Sequence, residues 1–148
     1  MSHQSYKLKQ TYIGHLREGS DLLKGITGYI VKNKIRTGEV RGLGAVTRAV
    51  IRYFNQETKE YETITFDDPF EILSLYGNIS IQDYEPFPHI HVTLGDNKGR
   101  AFGGHLAEGT IVFLAEIMIH EFEGEKIIRE RDEKTGLYLW DYRQELLA

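Results

Sequence analysis

One stretch of helical periodicity followed by an almost unbroken succession of strand-like runs leaves this chain few ways to bury itself. From Thr37 onward, β-branched and aromatic residues dominate in the runs Val40 to Val46, Thr47 to Phe54, Tyr61 to Phe66, Phe70 to Ile81, Ile90 to Leu94, Arg100 to His105 and Thr110 to Phe122. Turn residues separate them: the polar segment 55–60 reads as a hairpin connection, 96–99 as a tight one, and Gly42 and Gly44 as a bulge or bend. Strands in series, without the alternation of strand and helix that builds parallel sheets, predict an α+β fold. Its mainly antiparallel, strongly bent sheet packs on one main helix.

The helix is expected after Ser20, whose hydroxyl offers an N-cap, with Asp21 in the first turn. Leu22, Ile26 and Ile30 recur at helical spacing. Gly25 and Gly28 each cost up to about 1 kcal/mol against Ala in a helix, so they suggest close packing on a sheet. Upstream, Tyr6, Leu8, Gln10, Tyr12, Gly14 and Leu16 alternate with Lys7 and Lys9 as a first strand. Downstream, the turn residues at 132–136 and the single Trp140 mark a final hairpin or arm. We expect one domain over 1–148, with its core at about 12–122 and an arm at 123–148.

Composition narrows the function classes. The net charge of −4 argues against a protein that coats DNA or membranes generally. Eleven basic residues against five acidic ones in positions 1–60 leave a basic first part, read most simply as a solvated surface. With no cysteine there is no disulfide framework, no thiolate nucleophile and no Cys-ligated zinc, so a metal must be held by His, Asp or Glu. Apolar runs such as 111–115 are far short of the roughly twenty residues that span a bilayer, and no apolar secretory core opens the chain. A cytoplasmic location without membrane attachment is expected.

The chemistry concentrates in the histidines. His89 and His91 flank Ile90 on a predicted strand, so both imidazoles leave the same face, about 6.5 to 7 Å apart along it. Asp96-Asn97-Lys98-Gly99-Arg100 fits a three-residue hairpin loop with Gly99 in the left-handed position. If Asp96 faces Arg100, His91 lies directly opposite His105 and three imidazoles converge. A loop one residue shorter or longer turns His105 to the other face. Three neutral imidazoles with an open position suit zinc, and Gly103-Gly104 beside His105 lets backbone or ligand approach closely. Paired, partly exposed histidines without metal are the simpler alternative.

Glu71 and Glu116 are the two acids embedded in otherwise apolar runs. Either suits a carboxylate bonded to a ligating histidine, a fourth ligand, or a general base beside a metal-bound water. An acid on the solvent face of a half-buried strand is the alternative for each. His3, His15 and His120 have no such context. No phosphate loop, nucleophile elbow or dinucleotide fingerprint is present.

The string Phe70 to Ile79, then His89-Ile-His-Val-Thr-Leu94, Gly99, Gly103-Gly-His-Leu106, Gly109-Thr110 and Ala115-Glu116, resembles the plants-and-prokaryotes-conserved (PPC) domain. The similarity is collinear from about Tyr12 to Ile119 and includes 18–22 and 41–45. The resemblance implies an α+β homotrimer and, for the prokaryotic type, a metal cluster on His89, His91 and His105, with zinc expected. In plants the domain accompanies AT-hooks in DNA-binding regulators. This chain has no Arg-Gly-Arg hook core, so minor-groove binding is not inherited, and Asp68-Pro69 stands where plant members often carry Gly-Arg. The spacing of the histidines is also similar to the metal site of α-acetolactate decarboxylase. The expectation is therefore a trimeric zinc-binding regulatory or interaction module, with protein partners or a small ligand. The alternative is a zinc-dependent lyase or hydrolase acting on a small oxo-acid-like substrate.

Overall fold

The computed structural model describes residues 5–141. Nine strands and one helix run in the order β1 (Lys7–Leu16), α1 (Leu22–Lys32), β2 (Gly38–Asn55), β3 (Glu60–Phe66), β4 (Phe70–Gln82), β5 (Glu85–Gly95), β6 (Ala101–Leu106), β7 (Ile111–Glu123), β8 (Arg129–Arg131) and β9 (Tyr138–Trp140). Seven of the strands form one antiparallel sheet in the order β1-β7-β2-β4-β5-β6, with β3 on β2. The α+β expectation holds.

The two runs expected at 40–54 are one 18-residue strand, β2. It is bent where Gly42 and Gly44 interrupt the register with β4, and Gly44 takes φ +143°. The bend gives β2 two sets of neighbours. Its first half lies between β4 and β7, while its second half pairs with β3 and, through Ile51 to Leu106 and Arg52 to His105, with β6. The strands β2, β4, β5 and β6 therefore close into a ring, as strong bending requires.

Alternation then sorts the side chains. Ile90, Val92 and Leu94 of β5 turn inward with Leu75, Ile79, Val46, Ile51 and Leu106, all 3% exposed or less. Their neighbours His89, His91 and Thr93 face outward. Leu22, Ile26 and Ile30 of α1 are buried as their spacing predicts, and the helix packs against β5 and β7. Its N-cap is Asp21 rather than Ser20. The Asp21 carboxylate has an oxygen for Lys24 N and another for Gly109 N, whereas the Ser20 hydroxyl closes the preceding turn onto Arg17 O. Gly25 does lie against Leu16 of β1, but nothing packs on Gly28.

The fifth strand starts five residues earlier than its predicted Ile90. Asp83 and Tyr84, both with positive φ, make a tight turn, and the strand then runs through Pro86 and Pro88. Prolines are tolerated there because β6 pairs only with 91–95, so the other edge of 85–88 needs no N–H donor. The expected arm is a two-stranded hairpin, β8 with β9, whose Asp132 carboxylate accepts from Thr135 N and Oγ1. Ile81 N, near the end of β4, donates to Ile127 O and ties the arm to the sheet. The end of the predicted arm, 142–148, and His3 lie outside the described residues.

Candidate metal centre

The hairpin joining β5 to β6 decides whether the histidines meet. Asp96 N donates to Arg100 O at 3.0 Å and Gly99 N to Asp96 O at 3.1 Å, with Gly99 at φ +75°. The Asp96 carboxylate also accepts from Lys98 N and Arg100 N at 2.9 Å each and from Arg100 Nε at 2.7 Å. This is the three-residue loop the sequence predicts, and it sets His91 opposite His105. A Cβ at Gly103 would collide with the carbonyl oxygen of Val92, so glycine is what lets β6 lie this close to β5.

The three rings converge. Their centroids are 5.0 to 5.4 Å apart, the Nε2 atoms of His89 and His91 stand 3.2 Å from each other, and one ring nitrogen from each residue lies within 4.8 Å of the others. His91 is exposed; His89 and His105 are half-buried. Burial, then the positive charge of Arg129 and the neighbouring rings, pushes His89 down to about 4. Burial, then His91 and Arg52, pushes His105 down to about 4. Near neutrality both are uncharged imidazoles, the form that ligates a metal. His105 Nδ1 is buried and has no hydrogen-bond partner among the described residues. An unsatisfied buried nitrogen costs about 1–3 kcal/mol, a cost that a bound ligand or cation removes. The donor set fits a metal ion of imidazole preference.

The carboxylates do not join them. Glu71 opens β4 opposite Ala45 and Gly95, exposed and four positions along β5 from His91. Glu116 is exposed in β7, opposite His15 and Leu43 and three strands removed from β5. Register separates both from the imidazoles, and among the described residues no acid completes the cluster. Within one chain, therefore, Glu71 and Glu116, expected as fourth ligand or general base, do not reach the imidazoles. His120, set aside in the sequence, bonds to Glu39 at 2.9 Å in a network with Tyr76 and Arg41.

The arm supplies what the sequence did not signal. Arg129, 8% exposed, donates from Nε to Ser80 Oγ, from Nη1 to Tyr138 O, and from Nη2 to Asn78 Oδ1 and His89 Nδ1. Phe87 and Trp140 lie against its guanidinium. Arg129 Nη2 stands 3.2 Å from His89 Nδ1, and His89 Nε2 is the nitrogen turned to His91. Between arm, helix and sheet lies a cavity of about 670 Å³ that reaches His89 and His105. Tyr61 closes on the cluster, its ring 5.6 Å from that of His105.

The chain is 42% identical to a plant- and prokaryote-conserved (PPC) protein of Pyrococcus horikoshii, with a TM-score of 0.88 over 95% of this chain and 97% of that one. A metal-containing protein of Archaeoglobus fulgidus superposes equally well, at 39% identity over 95% and 99% of the two chains and a TM-score of 0.88. A candidate DNA-binding protein of Bacteroides thetaiotaomicron follows at 28% identity, 93% and 98% coverage, and 0.84. The curated relatives it matches are long bifunctional proteins of Synechococcus, of whose length this chain spans about one fifth. The model of the Plants and Prokaryotes Conserved (PCC) domain matches residues 3–123. By that match the chain belongs to the plants-and-prokaryotes-conserved domain family.

Proposed function

We propose that this chain is a metal-binding module of its family, holding zinc on His89, His91 and His105 and assembling as a homotrimer. The observation that carries the reading is the convergence of three imidazoles, one of them with a buried nitrogen that has no partner among the described residues. Imidazole ligands favour zinc, and the open position left by three protein ligands suits an exchangeable group. The similar Archaeoglobus protein is described as metal-containing, in line with this reading. Elemental analysis of purified chain should find one zinc per chain, lost in His91→Ala. Protein that takes up no transition metal would refute the proposal.

Assembly rests on the outer face of the sheet. Ile13 faces Met118 across β1 and β7, and Met118 faces Arg41 in β2, which faces Tyr76 in β4. Ile13 is 76% exposed and Leu43, in the same region, 56%. An apolar patch with a polar surround is an interaction surface. Sedimentation should give three times the 17.1 kDa chain mass; a mass of one chain would exclude the trimer. Without an AT-hook, the module acts through protein partners or a small ligand rather than by gripping the minor groove. A salt-independent or absent shift of labelled duplex checks this, since phosphate contacts must release counterions.

The cavity beside the histidines favours a second reading, a metal-dependent lyase or hydrolase. With zinc bound, the centre supplies polarisation of a substrate oxygen. Turnover of small 2-oxo or 2-hydroxy-2-acyl acids that disappears with the metal would select this reading. Metal-linked stability without turnover selects the module.

A further inference from the structure

We infer that the cavity beside the histidines binds a small oxyanion, a carboxylate- or phosphate-bearing molecule, through the guanidinium groups of Arg52 and Arg129. The inference deepens the reading of the histidines as a ligand centre and rests on it for the neighbouring metal, but the arginines carry it themselves.

Arg129 is more than nine-tenths buried, and its four hydrogen-bond partners are a hydroxyl, an amide oxygen, a backbone carbonyl and a neutral imidazole. None is an anion. A guanidinium has five N–H donors, so one remains. A buried cation among neutral partners is expensive unless a counter-ion completes it. Arg52 lies opposite His105 where β2 meets β6, on the wall of the same cavity, and makes no ion pair among the described residues. Its charge and that of Arg129 both reach His105.

The other charges on the wall cancel, because Lys24 and Glu108 pair with each other at 3.0 Å. A chain of net charge −4 with 22 acidic residues thus has a concavity with two arginines that, among the described residues, no acid pairs with. The volume, about 670 Å³, is that of a small-molecule site. The planar fork of the Arg52 guanidinium matches the paired oxygens of a carboxylate or phosphate, and Arg129, held in one orientation by the rings of Phe87 and Trp140 and the bonds to Asn78 and Ser80, adds its one remaining N–H and its charge. Arg129 also lies beyond residues 3–123, the part matched by the family model, so this half of the oxyanion site is a contribution of the arm.

The test is calorimetric titration of the full chain, metal-free and zinc-loaded, with 2-oxobutyrate and with inorganic phosphate at fixed ionic strength set by sodium chloride. Saturable binding is expected, weakened about tenfold or more by Arg52→Gln, whose exposed side chain leaves the melting temperature of the ligand-free chain unchanged. Arg129→Gln should weaken binding as much, whereas Lys24→Gln should leave it within about twofold. No saturable binding of either probe in either form overturns the inference, as does binding undiminished in both arginine variants. Binding of the probes by a chain that takes up no metal refutes the zinc reading and leaves the arginine site standing. Zinc uptake without probe binding does the reverse.

Discussion

Two hairpins in this chain use the same turn chemistry and do different work. At the joint of β5 and β6, the Asp96 carboxylate accepts backbone N–H groups and Gly99 takes φ +75°; at the joint of β8 and β9, Asp132 and Gly136, at φ +77°, do the same. The first hairpin is embedded in the closed ring of strands and carries two of the three histidines on its paired register. The second has three residues on each side and is tied to the sheet by Ile81 and Arg129. Local turn chemistry fixes a register, and long-range packing decides how firmly that register is held.

The largest effect should come from the embedded hairpin. His91→Ala or His105→Ala should abolish metal uptake and the stabilisation linked to it, about 4 kcal/mol at a thousandfold excess over the dissociation constant. Melting with and without chelator measures it, and a chelator-insensitive wild type would break the argument. Next, Gly103→Ala forces a Cβ against the Val92 carbonyl and should destabilise the whole chain by about 1–3 kcal/mol while displacing His105. Denaturant unfolding together with metal stoichiometry reports both.

Arg129→Gln should cost about 1–3 kcal/mol by leaving Ser80, Asn78 and the Tyr138 carbonyl short of a donor. Hydrogen exchange should rise in 124–141 and stay unchanged in β1 and β7; a uniform rise would mean that the two hairpins are not separable. The smallest effect sharpens the comparison directly. Backbone N–H donors from Arg100 hold the Asp96 carboxyl below its ordinary 3.8, and the Thr135 hydroxyl does so for Asp132. Such depressed carboxyls contribute stability above pH 3.8 that is lost as pH falls through their folded values. Asp96→Asn should therefore flatten the acid limb of global unfolding, whereas Asp132→Asn should alter exchange only within the arm.

The histidine cluster was legible because its determinants are local. Two residues of alternation align His89 with His91, and five residues of turn set His105 across from them. The helix face was legible for the same reason, three apolar residues at one spacing. The distance of Glu71 and Glu116 from the cluster within the chain was not legible, because an acid in an apolar run shows which face it shares but not which strand lies beside it. Arg129 carried no signal at all: its partners Asn78, Ser80 and His89 are 40 or more residues away, and nothing in the arm encodes where it docks. The prolines of β5 hid five residues of strand, since tolerance of proline depends on an absent neighbour.

The bent eighteen-residue strand has one more effect. Since β2 is hydrogen-bonded to β6 as well as to β4, the segment bearing His105 cannot slide or peel from the one bearing His89 and His91 without loosening its hold on Arg52 too. The aperture between the imidazoles is thus fixed like the span of a caliper. Under the metal reading, an ion held by all three imidazoles would meet a backbone span set by two strand pairings at once.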